Sequence, residues 1–300
     1  MSVPSYIDLH EKGELCRRIK LLEGFLKECR LCPRKCRVDR LNGEKGVCQA
    51  GLVPLVSSAF PHFGEEPPLV GYHGSGTIFF THCNLRCVFC QNYDISHLGN
   101  GQSMTSSDMA RVMIKLQEMG CHNINLVTPT HYAPQIVSSL PEAIEMGLRL
   151  PLVYNCSGYE SIEMIRLLEG IVDIYMPDAK YMDEEYSRRF SNAPDYPEVI
   201  KGVLKEMQHQ VGDLTTNSKG IAEKGLLVRH LVMPHGVASS EPLLKFIAEE
   251  ISIHAYVNLM DQYRPEYRAR EYPEISRRIT QEEYLEAVQW AKHYHLYRGF

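Results

Sequence analysis

The sequence predicts an α/β protein in which six parallel strands alternate with helices around an open barrel. Short apolar runs alternate with amphipathic segments, and a cysteine-rich loop directly follows the first run of that series. Strand, crossover helix and parallel strand form a right-handed unit, and a series of six makes a partial (β/α)6 TIM-like barrel. A doubly wound sheet would produce the same alternation. The position of the loop favours the barrel, because functional groups lie at the C-terminal ends of barrel strands.

The composition is that of an ordinary globular protein. The chain has 300 residues, of which 44% are hydrophobic and 23% are charged, enough for one large domain with an extension. No apolar run reaches the ~20 residues of a membrane span, and the N-terminus does not resemble a secretory signal. The net charge of −5 gives no general reason to expect a nucleic-acid partner. The ten cysteines therefore suggest reduced thiols or metal ligands in a cytoplasmic protein without a membrane partner.

The chain is expected to divide into an N-terminal extension, residues 1–75, and the barrel, residues 76–300. An amphipathic helix is predicted over residues 6–28, where apolar residues recur at helical spacing. A basic, cysteine-rich segment, the four-cysteine loop (residues 29–48), follows it. Residues 54–68 are expected to be irregular or extended, because glycine and proline end them.

Within the barrel, apolar runs predict buried parallel strands, and the segments between them predict helices. The strands are expected at residues 77–80, 123–127, 152–154, 172–176, 226–232 and 255–259. The helices are expected at residues 106–119, 133–147, 160–168, 183–190, 196–211 and 241–251. A final amphipathic helix is predicted over residues 281–293.

The segment after the first barrel strand, the three-cysteine loop (residues 83–90), carries Cys83, Cys87 and Cys90 at C-x3-C-x2-C spacing. Three thiolates on one tight loop can hold three irons of a four-iron cluster and leave the fourth iron open, whereas ordinary ferredoxin ligation uses four cysteines. A disulfide framework is disfavoured, because it needs an oxidising compartment and usually a small secreted domain. Zinc with a distant fourth ligand is the weaker alternative. The spacing therefore predicts a reactive iron–sulfur centre.

This loop, with the aromatic residue Phe89 before its third cysteine, resembles the signature of the radical S-adenosylmethionine (SAM) enzymes. Residues 90–96 and the strand ends resemble the pyruvate formate-lyase activating enzymes, in particular the PflX-like group. The resemblance implies a [4Fe–4S] cluster on the three cysteines and SAM at the open iron, with Phe89 near the adenine. Cleavage of SAM by one electron would give a 5′-deoxyadenosyl radical that abstracts hydrogen. An electron donor such as flavodoxin or ferredoxin and a protein or peptide substrate are also implied.

The same resemblance implies that polar residues at the strand ends hold SAM. Asp178 and Lys180 follow the fourth barrel strand and are candidates for contacting the ribose hydroxyls or the carboxylate, for which an acceptor and a cation are suitable. Asn155 and Ser157 follow the third strand and are candidates for hydrogen bonds to SAM. Arg229, on the fifth strand, is expected to neutralise a carboxylate.

The end of the second strand departs from the family pattern. Many members carry a Gly-Gly-Glu-like turn there, which holds the amino group of SAM. Residues 127–132 read VTPTHY instead, without a carboxylate. Thr128, the candidate for the site, and Thr130 can offer hydroxyls and carbonyls at this position, and the way in which the amino group is held is left open.

A second set of cysteines precedes the barrel and consists of Cys29, Cys32, Cys36 and Cys48. Four thiolates at this spacing suit either zinc or an auxiliary iron–sulfur cluster, and the sequence does not decide between them. The basic residues around them would offset the charge of four thiolates. They would also suit an anionic substrate or RNA, although a solvated charge cluster is commoner.

Three functions follow from these patterns. The first is an activase that leaves a glycyl radical on a partner enzyme. The second is a radical SAM enzyme that modifies another peptide, a metabolite or RNA, which the basic N-terminal loop slightly favours. The third is a non-catalytic iron–sulfur or zinc-binding module, against which the open-iron spacing argues. The sequence does not identify the substrate.

Overall fold

The computed structural model describes residues 3–300, which contain a nine-stranded sheet. The strands are β1 (Leu55–His62), β2 (Ser75–Phe80), β3 (Gln102–Ser103), β4 (Ile124–Val127), β5 (Leu152–Cys156), β6 (Ile174–Pro177), β7 (Thr215–Thr216), β8 (Ala222–Leu231) and β9 (Tyr256–Met260). The α-helices are α1 (Ser5–Glu11), α2 (Glu14–Lys27), α3 (Pro67–Val70), α4 (Tyr93–Ser96), α5 (Ser106–Glu118), α6 (Ala133–Glu145), α7 (Ile162–Leu167), α8 (Glu184–Ser191), α9 (Tyr196–Val211), α10 (Ser240–Phe246) and α11 (Gln281–His293). A π-helical turn, Ile247–Ile251, continues α10.

The six predicted barrel strands lie side by side in chain order, as β2, β4, β5, β6, β8 and β9. Each neighbouring pair in this series is parallel. A doubly wound sheet reverses its strand order at a switch point, and this series has no reversal. Antiparallel strands flank it, because β1 pairs with β2 and β7 pairs with β8. The α/β partial barrel is therefore confirmed, and the sheet does not close on itself over residues 3–300.

Local sequence explains where the main elements lie. Both β5 and β6 are buried along their whole length, as expected for parallel strands that helices cover on one side. A capping box starts α5, where Thr105 and Asp108 bond each other's backbone N–H groups, and another starts α11, at Thr280 and Glu283. Within the part of the chain that the structure describes, no helix has both the length and the apolar character needed to cross a bilayer.

The N-terminal helix is interrupted, which corrects the prediction of one helix over residues 6–28. The chain forms α1 and α2 instead, and Gly13 separates them with a φ of 73°. A residue in the left-handed region ends an α-helix, and glycine adopts this conformation without a steric penalty. The second helix then packs against α6 of the barrel.

Residues 54–68, expected to be irregular or extended, contain β1 and begin α3. The strand β1 extends the sheet beyond β2, while α3 inserts the fully buried Leu69 among inward-facing residues that include Val153 and Ile174. The side-chain nitrogen Nδ2 of Asn123 donates to the carbonyl of Leu69 over 2.9 Å. Because these partners lie at the start of their strands, α3 plugs the N-terminal end of the barrel.

Candidate functional site

A cavity of about 270 Å³ lies at the C-terminal ends of the parallel strands. Its lining includes ten of the residues predicted for the site: Cys83, Cys87, Phe89, Cys90, Thr128, Asn155, Ser157, Asp178, Lys180 and Arg229. Parallel strands in sequential order bring their C-terminal ends to one edge, which explains why these positions meet. The cavity is close in size to small-molecule pockets, which begin at about 300 Å³. The role of each residue in it stays a prediction.

Polar side chains from outside the three-cysteine loop, on α8 and α4, contact its sulfur atoms. The hydroxyl of Ser191 donates to Cys87 Sγ over 3.1 Å, and Cys90 Sγ lies 3.0 Å from Ser96 Oγ. Burial raises the pKa of the Cys83 thiol to about 12 and also raises that of Cys87. Buried thiols of this kind lose their protons when a bound cation compensates the charge. The donor set therefore fits an iron–sulfur cluster.

Backbone geometry and a buried amide fix the shape of this loop. His82 and Arg86, on either side of the first cysteine, have φ values of 67° and 56°, a region that non-glycine residues rarely occupy. The amide of Asn84 donates to the carbonyl of Tyr159 over 2.6 Å and accepts from the hydroxyl of Ser157 at 3.3 Å. Ser157, a predicted SAM ligand, thus also ties β5 to the loop.

A charged cluster also lines the cavity. Asp178 lies between two cations, with Oδ2 at 2.7 Å from Lys180 Nζ and Oδ1 at 2.7 Å from Arg229 Nε. Arg229 also donates from Nη2 to Asn155 Oδ1 over 2.8 Å. Burial alone would raise the pKa of Asp178, but the two cations hold it below its ordinary value. A carboxylate and two cations at one wall suit a ligand that carries both hydroxyls and a carboxylate.

Two acidic residues that precede the barrel in the chain, Glu65 and Glu66, lie behind this cluster. Glu65 Oε2 lies 3.5 Å from Arg229 Nη1, and Glu66 Oε1 lies 3.9 Å from Arg229 Nε. The amide of Asn258, on β9, donates to Glu66 Oε1 over 2.9 Å. Both carboxylates are buried, with side chains 7% and 4% exposed. They precede the barrel in the chain, and no periodic pattern connects them to Arg229.

The end of β4, where the family's acidic turn would lie, has a different construction. Thr128 lines the cavity in the left-handed region, with a φ of 58°, and its N–H donates to the carbonyl of Asn155 over 2.8 Å. The hydroxyl of Thr130 donates to the buried Glu160 over 2.8 Å, and Tyr154 OH donates to the same carboxyl over 3.2 Å. The carboxyl nearest to this turn is therefore Glu160, which the sequence did not single out.

The four cysteines of the N-terminal set line a second, smaller cavity: Cys29, Cys32, Cys36 and Cys48. Burial raises the pKa of the Cys32 and Cys48 thiols. The N–H of Val47 donates to Cys36 Sγ over 3.5 Å, a contact suited to a thiolate ligand. Arg40, with 1% of its surface exposed, forms part of the cavity wall.

Among residues 3–300, no three His, Cys, Asp or Glu side chains are arranged to hold a single metal ion. The sulfur atoms of each cysteine set are therefore not placed around one ion. A four-iron cluster bonds each cysteine through a different iron, so its ligands stand farther apart than those of one ion. Zinc or an auxiliary cluster in the four-cysteine loop stays a prediction.

Comparison with known proteins gives the following likenesses. Residues 77–222 match the family model described as "Radical SAM superfamily". An uncharacterized protein of Methanocaldococcus jannaschii, MJ0674, is 35% identical over 289 residues, which cover 93% of this chain and 78% of that protein. A second uncharacterized protein of that organism, MJ0808, is 23% identical over 295 residues, which cover 87% of this chain and 79% of that protein.

Among solved structures, one titled "Native anSMEcpe with bound AdoMet and Cp18Cys peptide" matches with 9% sequence identity and a TM-score of 0.46. The match covers 70% of this chain and 55% of that one. This chain thus spans little more than half the length of that solved protein.

Proposed function

This chain belongs to the radical SAM superfamily, and we propose that it abstracts a hydrogen atom from a protein or peptide substrate in the manner of the PflX-like activating enzymes. Enzymes of this superfamily use a [4Fe–4S] cluster and SAM. When bound, the cluster supplies the electron that cleaves SAM to methionine and a 5′-deoxyadenosyl radical. The observation that carries the proposal is the convergence of the three-cysteine loop and the polar strand ends on one cavity.

In this proposal the three cysteines hold the cluster, and the strand ends hold SAM. Asp178 accepts hydrogen bonds from ribose hydroxyls, while Lys180 and Arg229 attract the carboxylate. Asn155 and Thr128 contact the polar end of the ligand. The ion pairs within this group keep the side chains charged and oriented before SAM binds, so that binding requires little rearrangement of the wall.

Phe89 has a second task in the proposal, which is to keep water away from the reactive species. It is 4% exposed, and its ring packs edge-on against Tyr181 and Tyr263, with centroids 6.3 and 6.1 Å away. A closed aromatic wall limits side reactions of a radical with solvent. The same wall would border the adenine of SAM.

Membership of the superfamily supports an enzyme over a non-catalytic binding module. Resemblance favours the activase, while the exposed basic side chains of the four-cysteine loop slightly favour another substrate, such as a peptide, a metabolite or RNA. We also propose an electron donor such as flavodoxin or ferredoxin. Electron paramagnetic resonance (EPR) with candidate partner enzymes separates the two enzymatic alternatives, because a glycyl doublet on the partner supports the activase.

The decisive experiment for SAM chemistry uses anaerobically reconstituted protein with a reductant and SAM. We expect the broad visible absorption of a four-iron cluster and the formation of 5′-deoxyadenosine. Cys87→Ala should lose 5′-deoxyadenosine formation and the share of the absorption that comes from this cluster, since it removes a cluster ligand. Cys121→Ala is the matched control, because Cys121 is buried outside both cysteine sets and should retain both signals. Undiminished 5′-deoxyadenosine formation by Cys87→Ala would contradict the proposal.

We further propose a second metal centre in the four-cysteine loop. Its support is the common cavity that its four cysteines line and the burial of two of the thiols. Metal analysis of the isolated protein decides its nature. About one zinc per chain supports a structural site and excludes an auxiliary cluster, whereas iron and sulfide beyond one four-iron cluster support the auxiliary cluster.

A further inference from the structure

One side chain of the four-cysteine loop, Arg34, reaches the three-cysteine loop. It lies between Cys32 and Cys36 in the sequence. Its guanidinium donates from Nε to the carbonyl of Asn84 over 3.1 Å and from Nη2 to that of Leu85 over 3.2 Å. Both carbonyls belong to the stretch between the first and second cysteines of the three-cysteine loop, so Arg34 bonds the backbone that spaces two proposed cluster ligands.

The other side of the same guanidinium holds the end of α8. Arg34 Nη2 donates to the carbonyl of Ser191 over 2.8 Å, and Nη1 donates to that of Asn192. The Ser191 hydroxyl is the donor to Cys87 Sγ. One guanidinium therefore serves four carbonyl oxygens with its five N–H donors. It fixes both the loop and a residue that touches a ligand sulfur.

The surroundings of Arg34 distinguish it from the exposed basic residues of its loop. Its guanidinium lies over the ring of Tyr159, 5.1 Å from the centroid, and it makes no ion pair with any carboxylate of residues 3–300. Arg37, three residues on, has a side chain that is 70% exposed and faces Glu28 at 3.6 Å. Arg34 thus holds backbone carbonyls in a fixed geometry, whereas Arg37 is a solvated surface charge.

A second connection runs parallel to the first. Arg40, also in the four-cysteine loop, donates from Nη1 to the carbonyl of His131 over 2.6 Å. Nε2 of the His131 ring lies 2.7 Å from the carbonyl oxygen of Thr81. Thr81 lies two residues before Cys83 in the sequence. The four-cysteine loop is therefore connected to the three-cysteine loop directly through Arg34 and, through His131, to the residue that lies two positions before its first cysteine.

We propose that Arg34 is a positioning residue through which the four-cysteine centre organises the loop that carries the open-iron cluster. Metal in the four-cysteine loop fixes the segment between its ligands, that segment fixes Arg34, and Arg34 fixes the backbone beside the cluster ligands. Mutation of residues that orient metal ligands from outside the coordination shell typically lowers metal affinity 10- to 100-fold. The inference rests on the proposed function, since it requires a SAM-responsive cluster on the three-cysteine loop.

The test compares reconstituted full-length wild type, Arg34→Ala, Arg34→Lys and the control Arg37→Ala. The readout is the EPR signal of the reduced cluster that changes when SAM is added, because only a cluster with an open iron responds to SAM. Its decay is followed during incubation with a ferrous-iron chelator. We expect decay about tenfold faster in both Arg34 variants, since lysine keeps the charge but cannot bond four carbonyls. Arg37→Ala should decay like wild type.

Two results would overturn the inference: decay of Arg34→Ala at the rate of Arg37→Ala, or full rescue by lysine, which would show an effect of charge alone. Should Arg34→Ala not fold, as judged by circular dichroism, Arg34→Lys carries the test. A wild type whose EPR signal does not respond to SAM contradicts the proposed function itself. A responsive wild type with equal decay in all variants contradicts only the role of Arg34.

The coupling also predicts a double-mutant result. Cys48→Ser removes a ligand of the four-cysteine centre and should accelerate the decay as Arg34→Ala does. Because the loss of Cys48 already interrupts the connection through Arg34, the double variant Cys48→Ser with Arg34→Ala should decay no faster than Cys48→Ser alone. Accelerations that multiply in the double variant would overturn the coupling.

Discussion

The protonation of one buried carboxyl, that of Glu160, has a consequence for stability. It is 1% exposed and accepts hydrogen bonds from Thr130 and Tyr154, yet burial raises its pKa from 4.5 to about 7. Between these two values the folded protein keeps a proton that the unfolded chain has lost. The stabilising contribution is therefore fully present below the unfolded pKa and is lost as the pH rises through the folded pKa.

Replacing this carboxyl by an amide, Glu160→Gln, should remove that pH dependence. The wild type is expected to lose about 2 to 3 kcal/mol of stability relative to Glu160→Gln between pH 5 and pH 8, because one pKa unit corresponds to about 1.4 kcal/mol. Denaturant unfolding of both metal-free proteins at several pH values measures the difference. Parallel pH profiles for the two proteins would show that Glu160 keeps an ordinary pKa.

At the scale of the elements, the sequence predicted those strands whose burial produces a regular hydrophobic pattern. Both β5 and β6 are buried throughout and appear in the sequence as continuous apolar runs. Strand β1 alternates irregularly between buried and exposed residues, so its sequence showed only an extended segment. Strands β3 and β7 have two residues each, which is too short for any period to appear.

The short helix α3 makes a testable contribution through Leu69, which is fully buried among β5, β6 and β8 at the N-terminal end of the barrel. Leu69→Ala leaves a cavity that the surrounding strands cannot fill, and it should reduce the free energy of unfolding by about 2 to 5 kcal/mol. Leu285→Ala, on the exposed side of α11 with Leu285 46% exposed, is the control and should change stability by less than about 0.5 kcal/mol. Equal values for the two variants would mean that α3 does not plug the barrel.

At the scale of the molecule, the candidate site was predictable as far as it depends on strand ends. Asn155 and Asp178 follow apolar runs and Arg229 lies within one, and the order of the strands brings these residues to one cavity. The contacts of Arg34 and Glu65 were not predictable, because they join loops far apart in the chain without any shared period. Local sequence patterns predict the radical SAM chemistry. The contacts that hold the site residues in place depend on tertiary packing.

This packing bears on the predicted boundary after residue 75. A fragment of residues 76–300 would lack β1, which pairs with β2, so it would expose an unpaired edge. It would also lack Leu69, and Arg229 would lose two of its carboxylate partners. In the whole chain, the buried Tyr6 of α1 donates to the carbonyl of Leu150 over 2.8 Å, and the fragment would lose this contact as well.

We therefore expect the fragment to aggregate or to unfold without cooperativity, because its barrel would be open at one end and at one edge. Thermal unfolding followed by circular dichroism, together with gel filtration, compares it with the full chain. A monomeric fragment with a cooperative transition would show that residues 76–300 fold independently and that the N-terminal extension is a separate attachment. Failure of the fragment, combined with cooperative unfolding of the full chain in a single transition, would show that the four-cysteine loop and the barrel form one folding unit. A single folding unit of this kind is what a rigid contact between the two cysteine loops requires.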